Sequence, residues 1–457
     1  MPGHAPLTLI WILIEMHYPQ YNNRLIMATF TACLLWSNPL LAEDLNEIYQ
    51  LARQQDPQLK AAVASREAAY TARPQALAGL LPHITFRTNA DRIKQDSSLS
   101  GSSVFNNTGY DLSLTQPVFN YRAIQQYRQS DFTLRQADAT YGAAVQELIL
   151  RVSESYFNVL AAGDNVEFAR TNKAAIARQR EQARKRFEVG LIAITDVHEA
   201  EALYDQAVAT EIAAINEQAN SLETLNVITG AYHEQLHLLQ DTIPLVKPDP
   251  EGMDKWTDIS LKQNLSLQAA NAAVEIAKKS VDIRKADHLP TVDMVLSTRN
   301  QDVGGDFARE FDTDSISVQL SVPIYSGGLT SAQVNESAFL LQQSRQQAEF
   351  ERRSTVAQTR NAYRGVLTGI SQVLALEKSI ISTRSALETT EAGFEVGTRT
   401  IVDVLNSQRL LFQTKRDLAR TRYDYILNYL RLKRAAGTLS PDDILRINKY
   451  LTVSDNS

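Results

Sequence analysis

The sequence predicts a mainly helical, internally duplicated chain with a smaller amount of membrane-embedded β-structure. Three observations support this fold class. The two halves repeat the same order of motifs, each half contains a pair of runs with alternating polarity, and each half contains a proline-free helical segment of almost 70 residues. Glycine supports it too, because only 18 of the 457 residues are glycine, and helices tolerate few of them.

Residues 1–42 are predicted to be a leader that is removed. Arg24 precedes the apolar run Leu25–Trp36, and the segment ends at the small residue Ala42. A charged start, a short apolar core and a small residue are the parts of a secretory signal, and the run is too short to span a bilayer. Translation could start at Met16 or Met27 instead, which would remove the unusual extension before Arg24.

Cys33 is the single cysteine. It allows a second interpretation of the leader, a lipidated N-terminus, although no leucine stands at the expected place before it. If the leader is removed as a secretory signal, the mature chain has neither a disulfide nor a thiolate. The formal net charge of −6 argues against a nucleic-acid partner, since phosphate binding needs a basic surface.

The internal repeat is seen in pairs of matching residues that are 207 or 208 positions apart. The matching pairs are Leu81-Pro82 with Leu289-Pro290, Tyr156 with Tyr363, Phe187-Glu188-Val189-Gly190 with Phe394-Glu395-Val396-Gly397, Asp196-Val197 with Asp403-Val404, and Gly230 with Gly437. A repeat this long is a duplicated domain and not a solenoid unit. We expect a first repeat at 43–230, a connector at 231–260, a second repeat at 261–437 and a tail at 438–457.

Each repeat should contain one β-hairpin after its Leu-Pro break. Apolar residues occupy alternate positions from Ile84 and again from Tyr110, with a loop rich in Ser, Asn and Gly between the two runs. The second repeat alternates over 292–296 and 316–324. One apolar and one polar face suit a barrel wall between lipid and water. A half-buried sheet in a soluble protein is the alternative, but an isolated hairpin cannot bury its apolar face alone.

Helices are predicted around each hairpin. A shorter one precedes it (51–78 and 261–286), a very long one follows it (121–189 and 329–396), and a returning one comes after a Val-Gly turn (196–227 and 402–436). Helices of this length need neighbours packed along their sides. A cytoplasmic coiled-coil scaffold also has such helices, but it would need neither the signal nor the hairpins.

The two tip motifs at 189–197 and 396–404, placed in this duplicated strand–helix plan, make the sequence resemble the TolC-type outer-membrane efflux duct family. The resemblance covers essentially everything after the leader. It implies a homotrimer in which each chain gives four strands to one 12-stranded β-barrel in the outer membrane. Helices of the three chains would form a tapering α-barrel across the periplasm, with an equatorial collar made by 230–256 and the C-terminus.

The same resemblance implies the function and the partners. Members of the family are the outer-membrane exit of tripartite efflux pumps and type I secretion systems in Gram-negative cells. They work with a periplasmic adaptor (membrane fusion) protein and an inner-membrane transporter of the RND, ABC or MFS type, and no cofactor is implied. Drugs and secreted proteins leave through ducts of one design, so the sequence does not name the cargo. A periplasmic adaptor or a scaffold without a pore is the alternative function, although the Gly-rich sandwich of an adaptor is absent from the sequence.

The resemblance also assigns the two Val-Gly turns to the periplasmic tip. Glycine after a helix supplies the left-handed conformation that reverses the chain, so a purely structural role is expected for both glycines. The family adds a docking role for the turns, where helical tips of the adaptor would seat. The residues of these docking turns are Val189, Gly190, Leu191, Val396, Gly397 and Thr398.

Asp403 and Asn406 are the predicted pore constriction. By resemblance Asp403 lies at the narrowest ring of the tunnel, where three copies would favour cations. Many relatives have a second acid one turn later, but this chain has Asn406 there, which predicts a weaker ring. The alternative is that Asp403 only caps the returning helix, as Asp196 with Glu199 would cap the other one.

Three residues are predicted gate contacts. In the family an arginine holds the closed aperture through an acid on the neighbouring coil, and Arg399 and Asp196 match these positions. Phe394 stands where the family can carry a tyrosine, so a hydroxyl contact is missing here.

An enzymatic function is not expected. His233-Glu234-Gln235-Leu236-His237 matches the short zinc-protease pattern, in which two histidines one helical turn apart bind the metal. The pattern follows Gly230, where a helix is predicted to end, and the corresponding segment of the second repeat does not contain it. We therefore expect no catalytic site and no metal.

Overall fold

The structure is a computed structural model that describes residues 43–97, 101–233, 235–304 and 309–452. The predicted leader and Cys33 lie outside the described residues. No helix in the described part combines the length and the apolar character that a membrane span requires.

The described chain alternates helices and strands in the predicted order. The helices are α1 (Leu45–Gln55), α2 (Pro57–Tyr70), α3 (Ala72–Ala78), α4 (Tyr121–Glu188), α5 (Ile194–Thr229), α6 (Met253–Gln263), α7 (Leu265–Ala286), α8 (Leu329–Glu395), α9 (Ile401–Ala436) and α10 (Pro441–Asn448). The strands are β1 (His83–Ser97), β2 (Gly101–Phe119), β3 (Leu238–Leu239), β4 (Thr291–Val303), β5 (Arg309–Ser321) and β6 (Leu451–Thr452).

The prediction of one continuous helix before each hairpin was wrong. Both segments start earlier and are interrupted at matching positions, Asp56 and Asn264, and the first is interrupted again at Thr71. Asp56 accepts a hydrogen bond from the Leu59 amide at 2.6 Å, and Asn264 accepts one from the Leu267 amide at 2.9 Å. Each side chain therefore starts a new helix by satisfying a free amide, and periodicity alone does not show such a restart.

The four long strands form one antiparallel sheet in the order β1-β2-β4-β5. The loop predicted within the first hairpin was wrong in extent, because the Ser-, Asn- and Gly-rich residues pair with β1 up to Ser97 and Gly101. In the second hairpin β5 ends at Ser321, so the predicted continuation through 322–324 was also wrong. The next pair of this register would join Val322 to Pro290, and Pro290 has no amide proton to donate, which is consistent with pairing that stops at Ser321.

The long helices confirm the predicted plan. α4 packs against α5 and α8 packs against α9, while α2 and α3 contact α4, and α7 contacts both α4 and α8. The helices that adjoin the strands therefore follow the order α2/α3, α4, α7, α8. This matches the order of the strands to which they are connected. The helices of the second repeat therefore extend the same helical layer as those of the first repeat.

The main core lies where the helical pairs meet the connector and the tail. Its largest fully buried side chains include Tyr49, Tyr156, Phe157, Leu430 and Ile444. Near it, β3 of the connector pairs with β6 of the tail. This brings together the two irregular segments that were expected to share a collar.

A polar junction joins the two repeats beside this core. The buried Gln146 amide on α4 donates to the carbonyls of Gly437 and Leu439, each at 3.0 Å. Asn264 donates to the Ala435 carbonyl at 3.0 Å. Since buried carbonyls need partners, these bonds fix the end of α9 against the junction between α6 and α7.

Candidate gate at the helical tips

The first tip turn joins α4 to α5 through a left-handed glycine. Gly190 has φ +76°, its amide donates to the Phe187 carbonyl at 2.8 Å, and the Leu191 amide donates to the Arg186 carbonyl at 2.9 Å. This pair of bonds is the Schellman arrangement, which satisfies the last carbonyls of a helix.

The second tip turn, between α8 and α9, has the same geometry. Gly397 has φ +79° and its amide donates to the Phe394 carbonyl at 3.1 Å, while the Thr398 amide donates to the Gly393 carbonyl at 2.8 Å. Thr398 adds a bond from its hydroxyl to the same carbonyl at 3.0 Å. The predicted left-handed glycines are therefore confirmed at both turns.

The tip turns expose apolar side chains. Val189 is 69% exposed, Leu191 is 72% exposed and Val396 is 75% exposed. Large apolar residues at this exposure leave a surface that a partner can cover. The residues predicted for docking are thus accessible in the single chain.

A small apolar cluster behind the tips contains Phe394. Its other buried members are Ile176, Ala207, Ile401, Val404 and Leu405, so it draws on both helical pairs. Phe394 is only 8% exposed, whereas its repeat partner Phe187 is 40% exposed. Phe394 therefore acts as an apolar anchor of the second tip.

Arg186 connects the first tip to the second. The central carbon of its guanidinium lies 4.1 Å from the centre of the Phe394 ring, which is a cation–π distance. The sequence did not single out Arg186, because nothing in its pattern indicates that the tips of the two repeats lie beside each other. Contact between Arg186 and Phe394 places the two tips side by side.

A second cationic contact, which the sequence also did not reveal, braces α4 against α5 near the tip. The Arg180 guanidinium lies 4.0 Å from the centre of the Tyr204 ring and 3.4 Å from Glu201, and Arg184 lies 3.9 Å from the same carboxylate. The one-turn spacing of the two arginines is a signal that could have suggested a shared acid.

Asp403 lies in the first turn of α9 and closes a capping box with Thr400. Its Oδ2 accepts from both the amide and the hydroxyl of Thr400 at 2.9 Å, and its own amide donates to that hydroxyl at 3.2 Å. The sequence interpretation that Asp403 is itself the N-cap was wrong, since Thr400 holds that position. Oδ1 takes no part in these bonds.

The bonds from Thr400 have an electrostatic consequence. They lower the pKa of Asp403 below its ordinary value, and the charge of Arg399 lowers it further. A helix N-terminus also favours a negative charge. Asp403 therefore carries a stable carboxylate, which a cation-attracting ring requires.

Asp196 has a different role from the one its position suggested. The N-cap of α5 is Ala193, and no side chain caps this helix. Asp196 is half-buried in the first turn, where its amide donates to the Ala193 carbonyl at 3.2 Å. The predicted capping pair of Asp196 with Glu199 was thus wrong, because α5 begins at Ile194 and Asp196 is its third residue, whereas an N-cap precedes the first residue of the helix.

Arg399 is exposed at the second tip and its amide donates to the Gly393 carbonyl at 3.2 Å. A Cβ on Gly393 would lie 2.8 Å from the Arg399 Cγ, so the arginine stem lies directly against this glycine. Among the ion pairs of the described residues, none joins Arg399 to Asp196 within one chain. Their contact stays a prediction for the assembled protein.

Asn406 is exposed one turn after Asp403. Its side-chain oxygen accepts a hydrogen bond from Arg409 at 3.0 Å. The amide therefore brings a cation next to the predicted constriction.

The zinc-protease pattern does not form its metal-binding geometry. Both histidines follow the end of α5 at Thr229, and Glu234 lies outside the described residues. The buried His233 ring contacts the Thr229 hydroxyl at 2.8 Å and the Glu43 carboxylate. Within the described residues, no cluster of three metal-binding side chains is present.

Comparison with known proteins decides the family. The sequence model of the family described as outer membrane efflux protein matches residues 48–231 and 256–438, one segment for each repeat. The chain belongs to the outer membrane efflux protein family. It is a TolC-type channel of the outer membrane, and members of the family serve as exit ducts in efflux and type I secretion.

Individual relatives agree with this assignment. The chain is 37% identical to the outer membrane protein TolC of Vibrio cholerae, over 92% of this chain and 96% of the relative. It is 31% identical to the alkaline protease secretion protein AprF of Pseudomonas aeruginosa, over 92% and 90%.

Solved structures show the same fold. The CmeC outer membrane channel of Campylobacter jejuni superimposes with a TM-score of 0.75 at 17% identity, covering 90% of each chain. VceC of Vibrio cholerae superimposes with a TM-score of 0.75 at 18% identity, covering 86% of this chain and 96% of the other.

Proposed function

We propose that three copies of this chain form a tunnel whose sheets close into one 12-stranded barrel in the outer membrane. An adaptor would bind at the helical tips, and an inner-membrane transporter would deliver the cargo. The observation that carries the proposal is the open, four-stranded sheet with an exposed apolar face.

The sheet has two unpaired edges. Within the residues that the structure describes, β1 pairs only with β2 and β5 pairs only with β4, so each edge strand leaves a row of backbone groups without partners from the sheet. In a bilayer such groups need partners, since no water is available to bind them. Pairing of β5 with β1 of a second copy supplies these partners, and three such pairings close the ring.

Exposure within the sheet supports a lipid-facing outer surface. Ile84, Phe86, Ile316, Val318 and Leu320 all lie at even positions and all are largely exposed. The recorded register places Ile84, Leu114, Leu296 and Ile316 on one row. Because alternate residues point to opposite sides, this apolar row covers one face only, as a barrel wall requires.

The helical layer supports the same assembly. It begins with α2 and α3 and ends with α8, in the same order as the strands, and both end helices carry exposed apolar residues. Examples are Val63 and Leu77 at one end and Phe339, Leu340 and Phe350 at the other. A second copy placed beside each end would cover both faces and continue the α-barrel.

The tips then form the periplasmic entrance. Exposed Val189, Leu191 and Val396 offer an apolar seat for the helical tip of an adaptor. Three Asp403 carboxylates would converge on the axis and favour cations, with Arg399 and Asp196 as contacts that hold the closed state.

Relatives of this chain are named for different substrates. They include the alkaline protease secretion protein AprF and the cobalt-zinc-cadmium resistance protein CzcC of Cupriavidus metallidurans. We propose a shared task, which is to receive drugs or secreted substrates from an adaptor with an RND, ABC or MFS transporter.

The assembly is tested by the native mass and conductance of the protein purified from outer membranes. We expect the mass of three chains and cation-selective channels in planar lipid bilayers. Introducing proline at Ser317, a paired position of the edge strand β5, should abolish the trimer, whereas Ser326→Pro beyond the sheet should retain it. A stable monomer of the unaltered chain would overturn the proposal.

A further inference from the structure

The outward face of the two edge strands carries opposite charges. Arg92 and Lys94 lie in the half of β1 that is farther from the helices. Glu310, Asp312 and Asp314 lie in the corresponding half of β5. All five are exposed and all lie at even positions, which share the face of the apolar row. One edge of the sheet is therefore basic and the other is acidic on the same side.

The acids of β5 lack cations within the chain. Asn300 donates to the carboxylates of Asp312 at 2.9 Å and of Glu310 at 3.2 Å, but an amide brings no charge. Among the described residues, no salt bridge joins any of the three acids to a base. Acids two residues apart on a strand are about 7 Å apart, so they repel one another unless cations lie beside them.

The bases of β1 are likewise incompletely neutralised. Lys94 lies 4.0 Å from Asp96, which is the limit of an ion pair. Arg92 faces Asn106 across the strand pair, so its cross-strand partner within the sheet is neutral. The two bases at this edge can therefore form ion pairs with acids of another chain.

The strand lengths limit how the two edges can meet. Directions alternate along the sheet, so β5 and a neighbouring β1 run antiparallel, and even residues must face even residues to keep both apolar rows outside. If the periplasmic strand ends are level, Ser321 lies beside His83. If the opposite ends are level, Arg309 lies beside Ser97.

Both registers place bases opposite acids. In the first, Arg92 faces Asp312 and Lys94 faces Glu310. In the second, Arg92 faces Asp314 and Lys94 faces Asp312, but Asp96 then faces Glu310, so this register also contains one pair of like charges. Opposite charges at directly facing positions stabilise strand pairs, and like charges there destabilise them.

We propose that Arg92 and Lys94 of one chain pair with the acidic row of β5 of a second copy and thereby set the register of the seam between chains. The inference rests on the proposed trimer. It assigns to these residues a role in fixing which residues of the two edges face each other, because a register that moves the bases beyond the acidic row loses these pairs.

Charge swaps on the full-length protein test the pairing. Lys94→Glu should speed loss of the trimer in hot SDS by at least about threefold, since three seams each lose one pair and gain one repulsion. Adding Glu310→Lys should restore the trimer in the first register, and adding Asp312→Lys should restore it in the second. Either rescue supports the proposal and identifies the register.

A matched control uses Asp91, an exposed acid on the opposite face of β1. Lys94→Glu combined with Asp91→Lys restores the net charge of the strand but should dissociate as fast as Lys94→Glu alone. If neither β5 swap rescues, or if the Asp91 swap rescues equally well, the seam pairing is wrong while the trimer stands. If the unaltered chain is a monomer, the proposed assembly itself has failed.

Discussion

Replacing Gly437 by alanine should destabilise the protein far more than the same change at its repeat partner Gly230. Both glycines end a returning helix in the left-handed conformation, with φ +75° and φ +71°. An added Cβ at Gly437 would lie 2.1 Å from the Gln263 carbonyl oxygen and 2.9 Å from the Asn264 amide nitrogen. At Gly230 the nearest atom, the Cβ of Gln55, is 3.9 Å away.

These distances give the expected magnitudes. The left-handed conformation costs an alanine about 1–2 kcal/mol, which is the whole expected effect at Gly230. At Gly437 the clash involves backbone and adds about 1–3 kcal/mol of overpacking. Displacing the Gly437 carbonyl from the Gln146 amide adds about 1 kcal/mol, so we expect a total of about 3–6 kcal/mol.

The assay is equilibrium or thermal unfolding of the purified protein in detergent, followed by circular dichroism. Gly190→Ala serves as a second control, because Gly190 has φ +76° and nothing within 4 Å of an added Cβ. We expect the two controls to resemble each other and Gly437→Ala to unfold well below them. Equal losses at Gly437 and Gly230 would refute the reasoning, since the close approach to the junction of α6 and α7 would then carry no cost.

Four further predictions concern the tips. Phe394→Ala should destabilise the tip cluster by about 3–5 kcal/mol and raise the resting conductance in bilayers, whereas the exposed Phe187→Ala should change both only slightly. Asp403→Asn should reduce the cation preference measured from reversal potentials; an unchanged potential would remove this residue from the pore. The pKa of Asp403 is lowered in the folded chain, so the carboxylate's capping contribution to stability is fully present above about pH 4 and is lost as the pH falls through the folded pKa. Thermal unfolding and bilayer recordings at a series of pH values check this expectation. Leu191→Glu should weaken cross-linking of an adaptor to the tip without changing trimer yield, and intact cross-linking would argue against docking there.

Much of the fold follows from local patterns. The long helices end within two residues of their predicted bounds, because uninterrupted helical periodicity and the Val-Gly turns mark them clearly. The left-handed glycines of the tips were predicted for the same reason, since a chain reversal after a helix needs that conformation. Local signals failed at Asp56 and Asn264, where a single side-chain hydrogen bond restarts a helix.

The site was only partly predictable. The sequence names the tip residues, but not that Phe394 is buried while its repeat partner Phe187 is exposed. Nor does it show that Thr400 is the cap and Asp403 its partner in the box. These differences depend on which helical pair lies beside each tip, and the repeat makes the two halves look equivalent.

The sequence by itself determined the duplicated order of helices and hairpins, the turning points and the alternating faces of the strands, because each depends on residues close together along the chain. Only the tertiary structure decided that β2 pairs with β4, that Arg186 covers Phe394 and that Gln146 holds the end of α9. These contacts join residues far apart in the chain. Their energy comes from burial and from hydrogen bonds that exist only once the two repeats have packed together.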